Sequence, residues 1–92
     1  MDKIIVNGKE YQGIKIPTPK TSLLIIQGNH GMLACGYINV ETANKIDEST
    51  VIVTGVNNFD DMLKAKVFKL SNAAKKLGIS EDMTGEQALA YL

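Results

Sequence analysis

The first third of the chain carries apolar and β-branched residues in short runs separated by turn residues, a pattern typical of β-hairpins. In "KIIVNGKEYQGIKI", residues 3–16, Asn7 and Gly8 supply the two positive-φ positions of a type I′ turn. A two-residue loop of this kind places Val6 opposite Lys9. The sequence therefore predicts a first hairpin, which ends at the prolines that follow, because proline has no N–H to donate to a ladder.

A second hairpin is predicted over residues 21–36. The run Leu23 to Ile26 does not alternate between apolar and polar residues, so both faces of this strand should be covered. Such a run is typical of a central strand or of a strand inside an interface. The segment 28–31 is a turn by composition, and the segment 32–36 forms the returning strand.

Helix-start signals begin after the second hairpin. Asn39 is the expected cap of a first helix that ends near Ile46, and the β-branched run "STVIVTG" then predicts one further strand. Asn58 is the expected cap of the next helix, "FDDMLKA". Thr84 and Gln87 have the spacing of a capping box, which predicts the start of the last helix.

A longer helix is predicted between these last two. Its apolar residues recur at the i, i+3, i+4 spacing of one buried face, and Gly78 after two lysines supplies a C-terminal stop. The residues of that face are Val67, Leu70, Ala73, Ala74 and Leu77.

The predicted order ββββαβααα indicates an α+β fold in which residues 1–92 form a single compact domain. We expect an antiparallel-rich sheet of about five strands with the helices packed on one face. The β-hairpins occupy residues 2–36, and a mainly helical part occupies residues 39–92. The connection through the helix at Asn39 is the one place for a parallel crossover.

Composition excludes several classes of function. Ten acidic residues balance ten basic ones, all of them lysine, and aromatic residues make up 5% of the chain, so we expect no nucleic-acid partner. No apolar run approaches the length of a membrane span, and the polar start is not a signal peptide, so we expect a cytoplasmic protein without a membrane partner. One cysteine and one histidine build neither an internal disulfide nor a four-ligand zinc site, so we expect no metal or cofactor.

Two long segments resemble the YunC-like family, a small domain of unknown function in bacteria and archaea. They are "PKTSLLIIQGNHGMLACGYINVETANK" and "GVNNFDDMLKAKVFKLSNAAKKLGISEDMTGEQALAYL", which together cover nearly the whole chain. The resemblance supports the fold and implies no activity. Family members often carry a basic residue after the Gly-Val pair, whereas Asn57 and Asn58 stand here, which weakens any anion-binding role for that loop.

Cys35 is the candidate catalytic residue. It ends an apolar run shortly before the helix that Asn39 caps, so free backbone N–H groups should lie near its thiol, and Gly36 would allow a ligand to approach closely. The alternative is that Cys35 packs as a small buried hydrophobe, which the absence of a neighbouring base favours. His30 lies at the other end of the same predicted strand, roughly 16 Å away, and is expected to be an exposed turn residue.

Two further stretches are candidate ligand-binding positions. Lys20, Thr21 and Ser22 place a cation and two hydroxyls on a connector stiffened by proline. The loop of Gly55, Val56, Asn57 and Asn58 follows a strand and precedes a helix, where backbone N–H groups can bind an anion. For both stretches the alternative is structural: a solvated strand entry in the first case and plain helix capping in the second.

These observations lead to two hypotheses for the function. The first is a non-catalytic homo-oligomeric protein that binds a small molecule or a protein partner, suggested by the doubly apolar strand and by the lack of a catalytic constellation. The second is an enzyme that uses Cys35 as a nucleophile or redox thiol. Self-association is the expected partnership, because a chain of this length buries a limited core.

Overall fold

Residues 2–92 are described by the computed structural model and form one mixed sheet of six strands with four short helices. The strands are β1 (Asp2–Val6), β2 (Lys9–Pro17), β3 (Ser22–Gln27), β4 (Gly31–Ala34), β5 (Ser49–Ile52) and β6 (Lys69–Leu70). The helices are α1 (Val40–Lys45), α2 (Phe59–Lys64), α3 (Asn72–Lys76) and α4 (Gly85–Leu89).

The strands lie side by side in chain order, from β1 at one edge to β6 at the other. All neighbours are antiparallel except β4 and β5, which are parallel and are joined through α1. The α+β class, the antiparallel-rich sheet and the single crossover through the helix at Asn39 are therefore confirmed. The sheet has six strands rather than about five.

Local turn and capping chemistry determines where the elements begin and end. Asn7 and Gly8 have φ values of 52° and 80°, as a type I′ turn requires, and Val6 pairs with Lys9. Asn39 accepts a hydrogen bond from the backbone N–H of Glu41 at 2.7 Å, which starts α1 as predicted. Both bonds of the capping box at the start of α4 are also present.

The long helix predicted to follow α2 is wrong in its first half. Val67 lies in a connecting segment and Leu70 belongs to β6, whose two residues pair with β5, so the order along the chain is ββββαβαβαα. The helix α3 starts only after Ser71, whose hydroxyl accepts from the N–H groups of Thr50 and Ala74. A cap shared with the neighbouring strand therefore decides the boundary, and the helical spacing of apolar residues upstream is coincidental. Leu77 is partly exposed rather than part of a buried face.

One face of the sheet carries the core. Side chains of the central strands that share this face are fully buried: Leu24, Ile26, Leu33 and Val51. They form one cluster with Met62 of α2, Ala74 of α3 and Leu89 of α4, so three helices cover this face.

The opposite face is covered over only part of its width. Ala34 of β4 and Ile52 of β5 are paired, and both are buried but lie outside the core cluster. Ala43 is also buried outside that cluster, and its helix, α1, contacts β5. α4 contacts β4 and occupies the core side of the sheet there, so α1 packs on the other side. The expectation that all helices share one face is therefore corrected for α1. No helix formed by residues 2–92 has the length and apolar character needed to cross a membrane.

The strand β3 is central in the sheet, as predicted, but its second face is open. Leu24 and Ile26 are fully buried on the core face, whereas Leu23 and Ile25 on the other face are half-buried. The expectation that both faces are covered is therefore not met within one chain.

Candidate functional site

The parallel pair β4 and β5 creates a recess at one edge of the sheet. Both strands end at this edge, and the chain leaves them toward opposite faces: from β4 toward α1, and from β5 toward α2 on the core side. Neighbouring connections that diverge in this way leave a crevice outside the carboxyl ends of the strands, a common position for ligands in sheets with parallel strands. Because β3 is antiparallel to β4, its first residues reach the same edge.

A crevice of about 520 Å³ lies at this position. Each of three segments contributes to its wall: the entry to β3, the segment after β4 and the segment after β5. The residues that line it are Thr21, Ser22, Cys35, Gly36, Tyr37, Thr54, Gly55, Val56 and Asn57. The volume lies within the range typical of small-molecule sites.

Most of the residues predicted from the sequence meet in this crevice. Those that line it are Cys35, Thr21, Gly36, Gly55 and Asn57. Lys20 is exposed beside Thr21 but does not line the crevice, and Asn58 is turned into the capping of α2 instead. His30 precedes β4 whereas Cys35 follows it, so the two residues lie at opposite ends of that strand.

The Cys35 side chain is 5% exposed and is held by the neighbouring strand. The backbone N–H of Leu24 donates to Sγ at 3.3 Å, and the N–H of Cys35 donates to the Leu24 carbonyl at 3.0 Å. The thiol thus extends the ladder between β3 and β4 by one side-chain bond. Cys35 is both a packing residue and part of the crevice wall, so the two interpretations of its role are compatible.

The segment after β5 is organised by hydrogen bonds to Asp61 of α2. The Asp61 carboxylate accepts from the N–H of Asn57 at 3.0 Å, and the Asn58 side chain accepts from the N–H of Asp61 at 2.7 Å. Gly55 has a φ of +70°, which a glycine adopts without strain. Because a carboxylate already occupies the first turn of this six-residue helix, an anionic ligand would be repelled there.

Tyr37 connects the two sides of the crevice mouth. Its hydroxyl donates to Thr18 Oγ1 at 3.1 Å, although the ring is 54% exposed. The turn that carries Thr18 is closed by a bond from the Thr18 N–H to the Thr21 carbonyl at 2.8 Å, and the Thr21 N–H donates to Thr18 Oγ1 at 3.0 Å. One hydroxyl therefore joins the segment after β4 to the entry of β3.

The site offers neutral polar groups rather than charges. Among residues 2–92, those lining the crevice bring three aliphatic hydroxyls, one phenol, one amide and one thiol, and there is no carboxylate or ammonium group among them. No group of three or more His, Cys, Asp or Glu side chains within the same residues has the geometry to hold a metal ion.

Comparisons with known proteins agree with this architecture. The family model described as "Domain of unknown function (DUF1805)" matches residues 34–92. The chain belongs to this family. It is 30% identical over 90 residues to the uncharacterized protein YunC of Bacillus subtilis (strain 168), a match that covers 94% of this chain and 89% of that protein.

A solved structure shows the same fold as this DUF1805 domain. The crystal structure of a protein of unknown function, TA1206 from Thermoplasma acidophilum, matches with a TM-score of 0.93 and 41% sequence identity. The match covers 99% of this chain and 89% of that chain. The predicted resemblance to the YunC-like family is confirmed, and the family itself has no assigned function.

Sequence reasoning missed two crevice residues of the DUF1805 domain. Ser22 and Val56 lie in the two candidate ligand-binding stretches, whereas Tyr37 and Thr54 were not among the predicted positions. A signal for them exists in the predicted crossover, because residues that directly follow two parallel strands share one edge of the sheet. Tyr37 and Thr54 occupy those positions.

Proposed function

We propose that this DUF1805 domain is a homo-oligomeric binding protein that holds a small, uncharged polar molecule in the crevice between β4 and β5. The observation that carries the proposal is the convergence of three separate segments on one recess of about 520 Å³. A cytoplasmic location belongs to the same proposal, in keeping with the free thiol of Cys35.

The lining supports this class of ligand. Hydroxyl and amide groups both donate and accept hydrogen bonds, so Thr21, Ser22 and Asn57 can recognise the hydroxyl or amide groups of a neutral molecule. Val56 and the Cys35 thiol add apolar surface at the wall. Mixed recesses of this kind orient a ligand through a few polar groups while apolar contacts provide affinity.

The absence of a charged group in the lining argues against the anionic ligand considered from the sequence. Lys20 is close in sequence but does not line the crevice, and Asp61 accepts the N–H of Asn57 that an anion would need. An anion entering this recess would therefore lose its hydration without gaining a counter-charge.

The proposal is tested by screening neutral polyol and amide fragments by two-dimensional ¹⁵N NMR. Fragments that bind should shift the amide signals of Thr21, Cys35 and Asn57 together. Thr54→Phe places a ring in the crevice and should abolish these shifts, whereas Thr42→Phe adds the same bulk to the exposed surface of α1 and should leave them unchanged. Shifts that persist in Thr54→Phe, or that appear only away from the crevice, would contradict the proposal.

The second hypothesis, an enzyme that uses Cys35 as a nucleophile or redox thiol, is favoured by one observation: the thiol lines the crevice. It is tested by iodoacetamide labelling of the folded protein across a range of pH. An activated nucleophile should react faster than a free cysteine at neutral pH. Slow labelling that rises with pH as for an ordinary thiol would exclude this hypothesis and leave the binding role.

A further inference from the structure

A second recess adjoins the crevice, on the other side of the segment that follows β4. Its volume is about 530 Å³, within the range typical of small-molecule sites. Gly36, Tyr37 and Thr54 line both recesses. The rest of its lining comes from the first turn of α1, the end of β5 and the start of β6. The two recesses are therefore neighbours that share one wall.

The second recess opens on the face of the sheet that α1 covers. Ile52 lies on this face, because it is buried outside the core cluster on the strand that α1 contacts. Lys69 of β6 is paired with Ile52, and residues directly opposite in an antiparallel pair share one face. Glu41 belongs to the first turn of α1. The recess is thus bounded by a lysine on the side of β6 and by a glutamate on the side of α1.

The two charges of this recess do not pair with each other. Within residues 2–92 the ion pair is Lys3 with Glu10, so Glu41 and Lys69 line one recess without forming a salt bridge. Lys69 Nζ lies 5.9 Å from the centroid of the Phe68 ring, a cation–π distance that keeps the ammonium group beside the recess. Opposite charges that line one volume without neutralising each other are available to a ligand that carries both.

We infer that the second recess binds the zwitterion of a free α-amino acid, beside the neutral ligand of the proposed function. The ammonium group of the amino acid lies toward the Glu41 carboxylate and its carboxylate toward the Lys69 ammonium, each in a charge-assisted hydrogen bond. A cation alone is repelled by Lys69, an anion alone is repelled by Glu41, and a neutral molecule leaves both charges unmatched. The Phe68 ring, which is 53% exposed, provides an apolar surface for the side chain of the ligand.

NMR titration of the ¹⁵N-labelled full chain with L-phenylalanine, L-leucine and glycine tests the inference. Concentrations up to about 20 mM are needed, because exposed charged groups give dissociation constants on the order of millimolar. The amide signals of Glu41, Phe68 and Lys69 should shift together. Phenethylamine lacks the carboxylate and hydrocinnamate lacks the ammonium group, so each should bind at least about fivefold more weakly than L-phenylalanine.

Charge variants at exposed positions complete the test without disturbing the core. Glu41→Gln and Lys69→Gln should each weaken L-phenylalanine binding at least about fivefold. Lys45→Gln and Glu48→Gln remove the same charges from exposed positions that do not line the recess, and both should bind as wild type.

Three results would overturn the inference: no shift at the recess with any of the three amino acids, equal binding of a ligand that carries a single charge, or undiminished binding to either recess variant. The neutral fragments and the amide signals of the first crevice measure the proposed function separately, so either site can fail without the other.

Discussion

Replacing Gly85 with alanine should strongly destabilise the protein, because two backbone segments meet at this glycine. Gly85 is the first residue of α4 and is buried against α2. A Cβ built at this position would overlap the Met62 carbonyl oxygen and would lie 3.1 Å from a methyl carbon of Leu33. Neither the Met62 carbonyl oxygen nor the packed Leu33 side chain can rotate away, so α4 itself must move.

The magnitude follows from three contributions. Overpacking of a core contact costs about 1–3 kcal/mol, and the upper end applies where backbone rather than a flexible side chain is struck. Moving α4 also strains the hydrogen bond from the Gly85 N–H to the Ala65 carbonyl, at 2.8 Å, which contributes about 1 kcal/mol. The better helix propensity of alanine returns up to about 1 kcal/mol. The expected net loss is about 2–3 kcal/mol.

Urea unfolding followed by circular dichroism measures this loss directly, and a thermal melt should show a decrease in Tm of about 10–20 °C. Gly36→Ala is the matched control, because its Cβ would lie 3.6 Å from Thr54 Cγ2, an ordinary contact distance. The control should unfold within about 0.5 kcal/mol of wild type. If Gly85→Ala were as stable as wild type, or more stable, helix propensity would outweigh the overlap and the reasoning would be refuted.

Three further outcomes are expected. Ser71→Ala leaves two buried N–H groups without their acceptor and should cost about 2–4 kcal/mol in urea unfolding, against about 1 kcal/mol for Thr84→Ala at a less buried cap; equal losses would contradict the shared cap. Asn58→Ala should cost about 1 kcal/mol, whereas Asn58→Asp should stay near wild type, because aspartate also caps helices. Tyr37→Phe removes the hydroxyl that joins the sides of the crevice and should speed iodoacetamide labelling of Cys35 about two- to fivefold, with Tyr91→Phe as the unchanged control; identical labelling rates would show that this hydrogen bond does not limit access.

How far the candidate site could be predicted depends on how far apart its parts lie in the chain. Cys35 and Gly36 were recognisable as a pair, as were Gly55 and Asn57, because each lies at a strand end before a capped helix. These two pairs line the same crevice because β4 and β5 are parallel neighbours. The sequence indicated this pairing only as a place for a crossover. Lys20 is a different case, since it is the neighbour of a lining residue and does not itself line the crevice.

The elements that the sequence determined are those specified by nearest neighbours. The turn at Asn7 and Gly8, the cap at Asn39 and the helix stop at Gly78 each depend on a backbone conformation or a hydrogen bond within a few residues. Such local chemistry acts in the same way whatever the rest of the chain does, so it can be recognised from composition and spacing alone.

Features that only the tertiary structure decided depend on contacts between distant segments. β6 exists because Leu70 pairs with Val51 and because the Ser71 hydroxyl binds the N–H of Thr50, 21 positions away in sequence. The apolar residues around it have helical spacing, so periodicity alone favoured the wrong element. The open face beside Leu23 has the same origin: its apolar character is local, but it stays open because α1 packs on β5 and not on β3.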